Sequence, residues 1–330
     1  MKPNLDETTK LNIFNIVNNY STTIILDASQ HLYRFAYAHR MLSINHMGKE
    51  IPTGHIYGFL KMLVYLKRKF VNPAIIIAID GYDRERELEN SDYKSNRPEK
   101  DVSVHKNTDD IIKLSAMLSG VFVSYNSKYE ADDTIYNISR TLDTLQKKNN
   151  IDKNIYIYAM DKDLMQCVND KILMIRKFGT GKDWMKKADI VNETIVRETF
   201  SGVRPDRIAM FRSIAGGDTS DNIKGYPRFP SKIASIIAEE CIVTDTCIVP
   251  PDNDFLERNP KIQKHLDIIN NDFSKFKSNY AIMKMKEYDF TIRIPDRDNA
   301  VYLIDYYKLN SYKKELALIE GIILEEDDLV

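Results

Sequence analysis

Three apolar runs, each closed by an aspartate, constrain this 330-residue chain more than any other feature. Residues 22–26 (TTIIL) end at Asp27, residues 74–79 (AIIIAI) at Asp80, and residues 154–160 (NIYIYAM) at Asp161. Short runs rich in β-branched and aromatic residues, bounded by polar breaks, read as buried strands. Between them, residues 53–70, 108–119 and 130–148 carry apolar residues at helical spacing. Shorter strands are expected at 121–124 and 171–176. Strands alternating with helices imply βαβ units and a largely parallel central sheet with helices on both faces. After about residue 190 strand signals thin out and helical patterns take over. The expectation is an α/β core over residues 1–190 and a helical part over 191–330 packed on it.

Sites in parallel α/β sheets form beyond the carboxyl ends of the strands. That is where Asp27, Asp80 and Asp161 fall. Glu130, Asp132 and Asp133 open the helix that follows the 121–124 strand, and Glu130 and Asp133 share a helix face. Asp163 follows Asp161 by two residues, and Asp218 and Asp221 stand in GDTSDN (217–222). Each acid alone has a structural explanation as a helix N-cap, a turn residue or a partner of a helix dipole. Together they are harder to explain that way, since nine converging carboxylates would repel one another without cations among them. Oxygen-only donors suit hard divalent ions such as Mg²⁺. With no histidine or cysteine beside them, zinc is disfavoured. A paired-ion site of this kind suits phosphodiester hydrolysis.

Composition enters at two points. The 47 Lys plus Arg and 48 Asp plus Glu give a net charge of −1, which taken alone argues against a nucleic-acid partner. Setting aside the nine acids leaves 47 − 39 = +8, a basic surface masked by an acidic centre. The three cysteines, Cys167, Cys241 and Cys247, form no disulfide framework, which points to a reducing cytoplasmic compartment. No apolar run approaches the roughly 18–20 residues of a membrane span.

Residues 82–107 (YDRERELENSDYKSNRPEKDVSVHKN) interrupt the pattern with six bases and seven acids. A charged insertion of this length inside a domain is either functional or a solvated loop. Arg84 and Arg86 are candidate phosphate contacts, with surface pairing to the neighbouring acids as the alternative.

The ordered blocks ILDAS (25–29), IAIDG (77–81), YEADD (129–133), AMDKDLMQ (159–166) and GDTSDNIKG (217–225) resemble the 5′-nuclease superfamily of flap endonucleases. KYEADD (128–133), YKSNR (93–97) and the late segments YDFTIRIP and YLIDYYKLNSYK are most similar to its T-even phage ribonuclease H branch. The resemblance implies a two-ion Mg²⁺ site, with Mn²⁺ as a possible substitute. Asp27, Asp80 and Asp132 would be the principal ligands of the first ion, with Glu130 and Asp133 in support. Asp161 would bridge toward a second ion held by Asp163, Asp218 and Asp221. The insertion would be an arch past which a single-stranded 5′ end runs. In it Lys94 and Arg97 would meet the scissile phosphate, and Tyr93 would either stack on a base or pack.

A helix-hairpin-helix-like segment follows the GDTSDN block. Family members carry a glycine-rich hairpin there whose backbone meets duplex DNA and a monovalent cation. Here the stretch is GYPRFPSK (225–232), and proline cannot donate an N–H. A bound K⁺ is therefore doubtful, while Arg228, Ser231 and Lys232 remain candidates for duplex contact. The expected activity is 5′→3′ exonuclease and flap cleavage, removing RNA primers and adjacent DNA in phage replication. Expected partners are branched DNA and RNA–DNA duplex with a free 5′ end, and a phage sliding clamp and single-strand DNA-binding protein. The protein is expected to be a monomer. Two alternatives are a non-catalytic DNA-binding scaffold, against which stand nine intact acids, and a PIN-like RNase, a class that is usually shorter.

Overall fold

The computed structural model of the chain describes residues 4–81, 83–89, 104, 107–217 and 222–322. The N-terminal part runs α1 (Glu7–Asn19), β1 (Thr22–Asp27), α2 (Ala28–Ala38), a hairpin of β2 (Ser43–His46) and β3 (Lys49–Pro52), α3 (Gly54–Lys69) and β4 (Pro73–Ile79). The short helix α4 (Arg84–Glu89) opens the charged insertion; α5 (Thr108–Ser115), β5 (Val121–Tyr125), α6 (Ala131–Lys148) and β6 (Ile155–Tyr158) follow. Next come a 3-10 turn (Lys162–Cys167), β7 (Ile172–Lys177), β8 (Asp189–Val191), α7 (Glu193–Thr199), α8 (Ile208–Ala215) and α9 (Ser231–Glu240). A short antiparallel pair, β9 (Ile242–Val243) and β10 (Ile248–Val249), precedes α10 (Asn253–Arg258), α11 (Ile262–Asn271), α12 (Phe273–Met283), α13 (Ala300–Tyr306) and α14 (Asn310–Glu320). The chain divides into two compact units, one of residues 1–81, 100–159 and 288–330, the other of residues 82–99 and 160–287.

In the first unit β5, β4, β1 and β6 lie side by side in that order, all parallel. The largely parallel α/β architecture expected from the sequence is therefore present. Ile24, Ile25, Leu26, Ile75, Ile76, Ile77, Ile155 and Ile157 are fully buried, as near-continuous apolar strands of parallel sheets are. Pro73 opens β4, where its missing N–H costs least. In α6, buried Ala131, Ile135, Ile138 and Leu142 make a core-facing stripe. Asp132 and Asp133 in the first turn and Lys147 and Lys148 in the last match the helix dipole.

In the second unit β7 and β8 form an antiparallel pair. Helix α8 is buried along its length from Ile208 to Ile214 and packs against α9 and α12.

The sequence pattern suggests one boundary near residue 190, but the units alternate along the chain. Residues after 288 belong with the N-terminal core. Arg293 and Val123 of β5 exchange backbone hydrogen bonds of 2.8 and 2.9 Å. The Asn12 side chain donates to the Ile292 carbonyl at 2.8 Å, and the Tyr288 ring stacks on Tyr129 at 3.7 Å. These pairings bring together residues far apart in sequence, so composition along the chain carries no trace of them.

Candidate metal and nucleic-acid site

The parallel register sets the first part of the site. Asp27 pairs with Ala78 of β4, two residues before Asp80, so both aspartates stand at the carboxyl edge of the first unit's sheet. Asp27 is the N-cap of α2, its Oδ1 accepting the Gln30 N–H at 3.1 Å. Asp80 reaches across the sheet edge, where its Oδ1 accepts the N–H of Ala131, the first residue of α6, at 2.9 Å. This bond pins the start of α6 to the end of β4, and with it Glu130 (the α6 N-cap) and Asp132. Asp27, Asp80, Glu130 and Asp132 are all partly exposed, whereas Asp133 is fully buried.

Gly81 makes the close approach possible. A Cβ there would stand 2.0 Å from the Asn126 carbonyl oxygen and 2.5 Å from that of Tyr129. The Gly81 N–H donates to the Tyr129 carbonyl at 2.9 Å. The glycine after Asp80 thus lets the β4 end meet the loop that delivers Glu130. The capping role and the site role are compatible, because each capping bond uses one carboxylate oxygen and fixes the direction of the other.

The remaining acids belong to the second unit. Asp161 caps the 3-10 turn by accepting the Asp163 N–H at 2.9 Å. The Asp163 carboxylate is ion-paired with Nη1 of Arg212, on α8. The Arg212 side chain is only 4% exposed. The sequence reading missed this arginine, although a signal existed. A lone arginine inside an otherwise apolar helix (IAMFRSIA) has to find a carboxylate or leave a buried charge uncompensated. Asp218 and Asp221 lie outside the described residues. Among the described residues, no group of three or more His, Cys, Asp or Glu side chains is drawn together as a metal cluster.

Tyr93, Lys94 and Arg97 of the insertion also lie outside the described residues. Of its leading arginines, Arg84 is exposed and Arg86 is 4% exposed, with Nε 3.8 Å from Asp83 Oδ2. Arg86 therefore sits in the interior of its unit beside an acid, away from any surface that a phosphate backbone could follow. The Asp83 carboxylate also binds Lys286 Nζ at 2.8 Å.

The stretch expected to be helix-hairpin-helix-like falls between α8 and α9, and residues 222–230 of it are described. Arg228 is exposed at a positive φ of 55°, and Ser231 and Lys232 are exposed in the first turn of α9. Gly225 lies so close to the end of α8 that a Cβ would meet the Ala215 carbonyl carbon at 2.3 Å. Its carbonyl accepts Lys275 Nζ at 2.9 Å, and the same ammonium stands 5.2 Å from the Tyr226 ring centroid. Asn279 donates to the carbonyls of Ser213 (3.0 Å) and Lys224 (3.2 Å). Burial, and the Asp272 charge after it, push the Tyr226 hydroxyl up to about 12.

A parallel α/β sheet with carboxylates at its C-terminal edge fits the comparisons with known proteins. Residues 22–201 match the family model "5'-3' exonuclease, N-terminal resolvase-like domain". The chain belongs to this 5′-3′ exonuclease family, a class of phosphodiester hydrolases. It is 27% identical over 296 residues to a 5′-3′ exonuclease of Aquifex aeolicus (strain VF5), covering 89% of this chain and 95% of that one. It is 28% identical over 212 residues to DNA polymerase I of Pseudomonas aeruginosa, covering 64% of this chain and 21% of the polymerase. Among solved structures it resembles a zinc-bound T5 5′-exonuclease, with a TM-score of 0.55 at 16% identity over 91% of this chain and 99% of that one. It also resembles the T5 D15 flap endonuclease in complex with DNA and metal ions, with a TM-score of 0.52 at 16% identity over 91% of this chain and 98% of that one.

Proposed function

We propose that this protein is a Mg²⁺-dependent 5′→3′ exonuclease and flap endonuclease that removes RNA primers and adjacent DNA during phage replication. The observation that carries the reading is the bond from Asp80 to the first N–H of α6. It ties the end of β4 to the start of α6, and the parallel register puts Asp27 of β1 at the same sheet edge, in a chain of this family. The donors there are carboxylate oxygens only, which fits a hard divalent cation that keeps several waters. Asp27, Asp80 and Asp132 would hold the first ion, with Glu130 and Asp133 in support. Asp161, Asp163, Asp218 and Asp221 would hold a second ion. When bound, Mg²⁺, or Mn²⁺ in its place, supplies Lewis acidity at the phosphate and an activated water.

The chain's own residues do the rest. Backbone N–H groups hold the Asp27 and Asp80 carboxylates in fixed directions, so little reorganisation is needed when substrate arrives. Lys94 and Arg97 contact the scissile phosphate and stabilise charge as it develops there. Tyr93 stacks on a base of the displaced strand. Arg84, Arg228, Ser231 and Lys232 take duplex phosphates, fixing register without reading sequence. Arg86 holds the base of the insertion from inside. Lys275 already donates to the Gly225 carbonyl, so the hairpin needs no K⁺.

The substrates are branched DNA and RNA–DNA duplex with a free 5′ end. The protein acts as a monomer in the host cytoplasm, and its partners at the fork are a sliding clamp and a single-strand DNA-binding protein. Incubation with a 5′-labelled flap and with an RNA–DNA hybrid, in Mg²⁺ and in EDTA, tests the reading. Short 5′ products in Mg²⁺ alone are expected; their absence would sink it.

A further inference from the structure

The described start of the charged insertion is a helix of only six residues, α4, too short to be stable by itself. Both of its ends are tied to one stretch of the same unit. At the N-terminal end, Asp83 caps α4 by accepting the N–H groups of Glu85 (3.0 Å) and Arg86 (3.1 Å). Asp83 is only 4% exposed, and both its carboxylate oxygens accept from Lys286 Nζ, at 2.9 and 2.8 Å. The same ammonium reaches Glu85 at 3.2 Å. At the C-terminal end, Ser278 Oγ of α12 donates to the Glu89 carbonyl at 3.1 Å. A buried carboxylate needs a counter-charge, and Lys286 supplies one from 203 residues away. The shape of α4 is thus imposed by the 278–286 stretch and not by its own propensity.

We propose that Lys286 is a positioning residue for cleavage. By compensating the buried Asp83 it fixes the point from which the insertion carrying Lys94 and Arg97 departs. The inference rests on the nuclease reading above, in which those two residues meet the scissile phosphate. Ser278 makes a neutral bond at the other end and plays the smaller part.

The test uses the full chain and a 5′-labelled flap in Mg²⁺, with hydrogen exchange at the Glu85 and Arg86 amides read in parallel. Lys286→Met is expected to lower kcat by roughly 10- to 100-fold, the scale of an ångström-sized misplacement, while KM stays within about threefold. The two amides should exchange faster, and Lys286→Arg should restore both readouts. Wild-type kcat in Lys286→Met, or a rise in KM alone, would overturn the proposal. If Lys286→Met does not fold, Lys286→Gln keeps a hydrogen bond to Asp83 and leaves Arg86 beside the carboxylate, while removing the ammonium. A lower kcat with faster exchange at Glu85 and Arg86 supports the proposal, and wild-type kcat in folded Lys286→Gln refutes it. A wild type that cleaves nothing would instead overturn the nuclease reading, and exchange at Glu85 and Arg86 would still decide whether Lys286 holds α4.

Discussion

The two groups of carboxylates are held in different ways. At the sheet edge of the first unit, Asp27 and Asp80 are fixed by backbone N–H donors from Gln30 and Ala131. In the second unit, Asp163 is fixed by a buried guanidinium, Arg212. The amide donors orient the Asp27 and Asp80 carboxylates. Arg212 neutralises the Asp163 charge. Under the proposed function the first group would take a divalent ion, and the capping bonds set the direction of its carboxylates. The second already carries one of its cations in the chain, which fits an ion held loosely through water.

The largest expected effect falls on the first group. Asp132→Asn should reduce flap cleavage by about a thousandfold or more, the scale of losing several kcal/mol of charge stabilisation, while substrate binding in Ca²⁺ is retained. Cleavage near the wild-type rate would remove Asp132 from the ligand set.

Arg212→Met tests the second group from the opposite side. Removing one partner of a buried pair costs about 3–5 kcal/mol, so a clear drop in Tm is expected in EDTA. The drop should be smaller in millimolar Mg²⁺, because the ion replaces the lost positive charge. An equal drop in both buffers would mean that Arg212 serves packing alone. Lys94→Ala should follow, lowering the rate by about 10- to 100-fold with a lesser change in affinity. If affinity alone falls, Lys94 is a positioning contact.

The smallest effect concerns pH. His31 is buried on α2, its Nε2 donating to the Tyr158 carbonyl at 2.9 Å, and burial pushes it down to about 3 from 6.5. The folded chain keeps it neutral while the unfolded chain takes up a proton below about pH 6.5. Stability should therefore fall as pH drops from 6.5 toward 3, by at most about 1.4 kcal/mol per pH unit from this group. His31→Gln should flatten that slope in urea melts at pH 5 and 7. An unchanged slope would assign the acid sensitivity to other groups.

The strands were legible because β-branched runs such as TTIIL and AIIIAI have few other ways to bury themselves. Their closing aspartates were legible for the same reason, since a polar residue after such a run marks the sheet edge. The capping bond from Asp80 to Ala131 could not be read from spacing, as it joins residues 51 apart. Arg212 and Lys286 were hidden by separations of 49 and 203 residues from their acids. Arg86 was half legible. Its alternation with acids already argued for pairing, and the structure places it beside Asp83, three residues away. The return of residues 288–293 to the N-terminal core left no local signal, because a bridge such as that between Val123 and Arg293 depends on the other strand being in place.

Mn²⁺ titration followed by electron paramagnetic resonance, in the wild type and in the Asp80→Asn with Asp132→Asn double variant, tests the central claim most directly. Saturable binding should be present in the wild type, persist in Arg212→Met, and be lost in the double variant while its thermal melt stays cooperative. Equal Mn²⁺ binding by the wild type and a folded double variant would contradict the assignment of the sheet-edge carboxylates as the divalent-ion site.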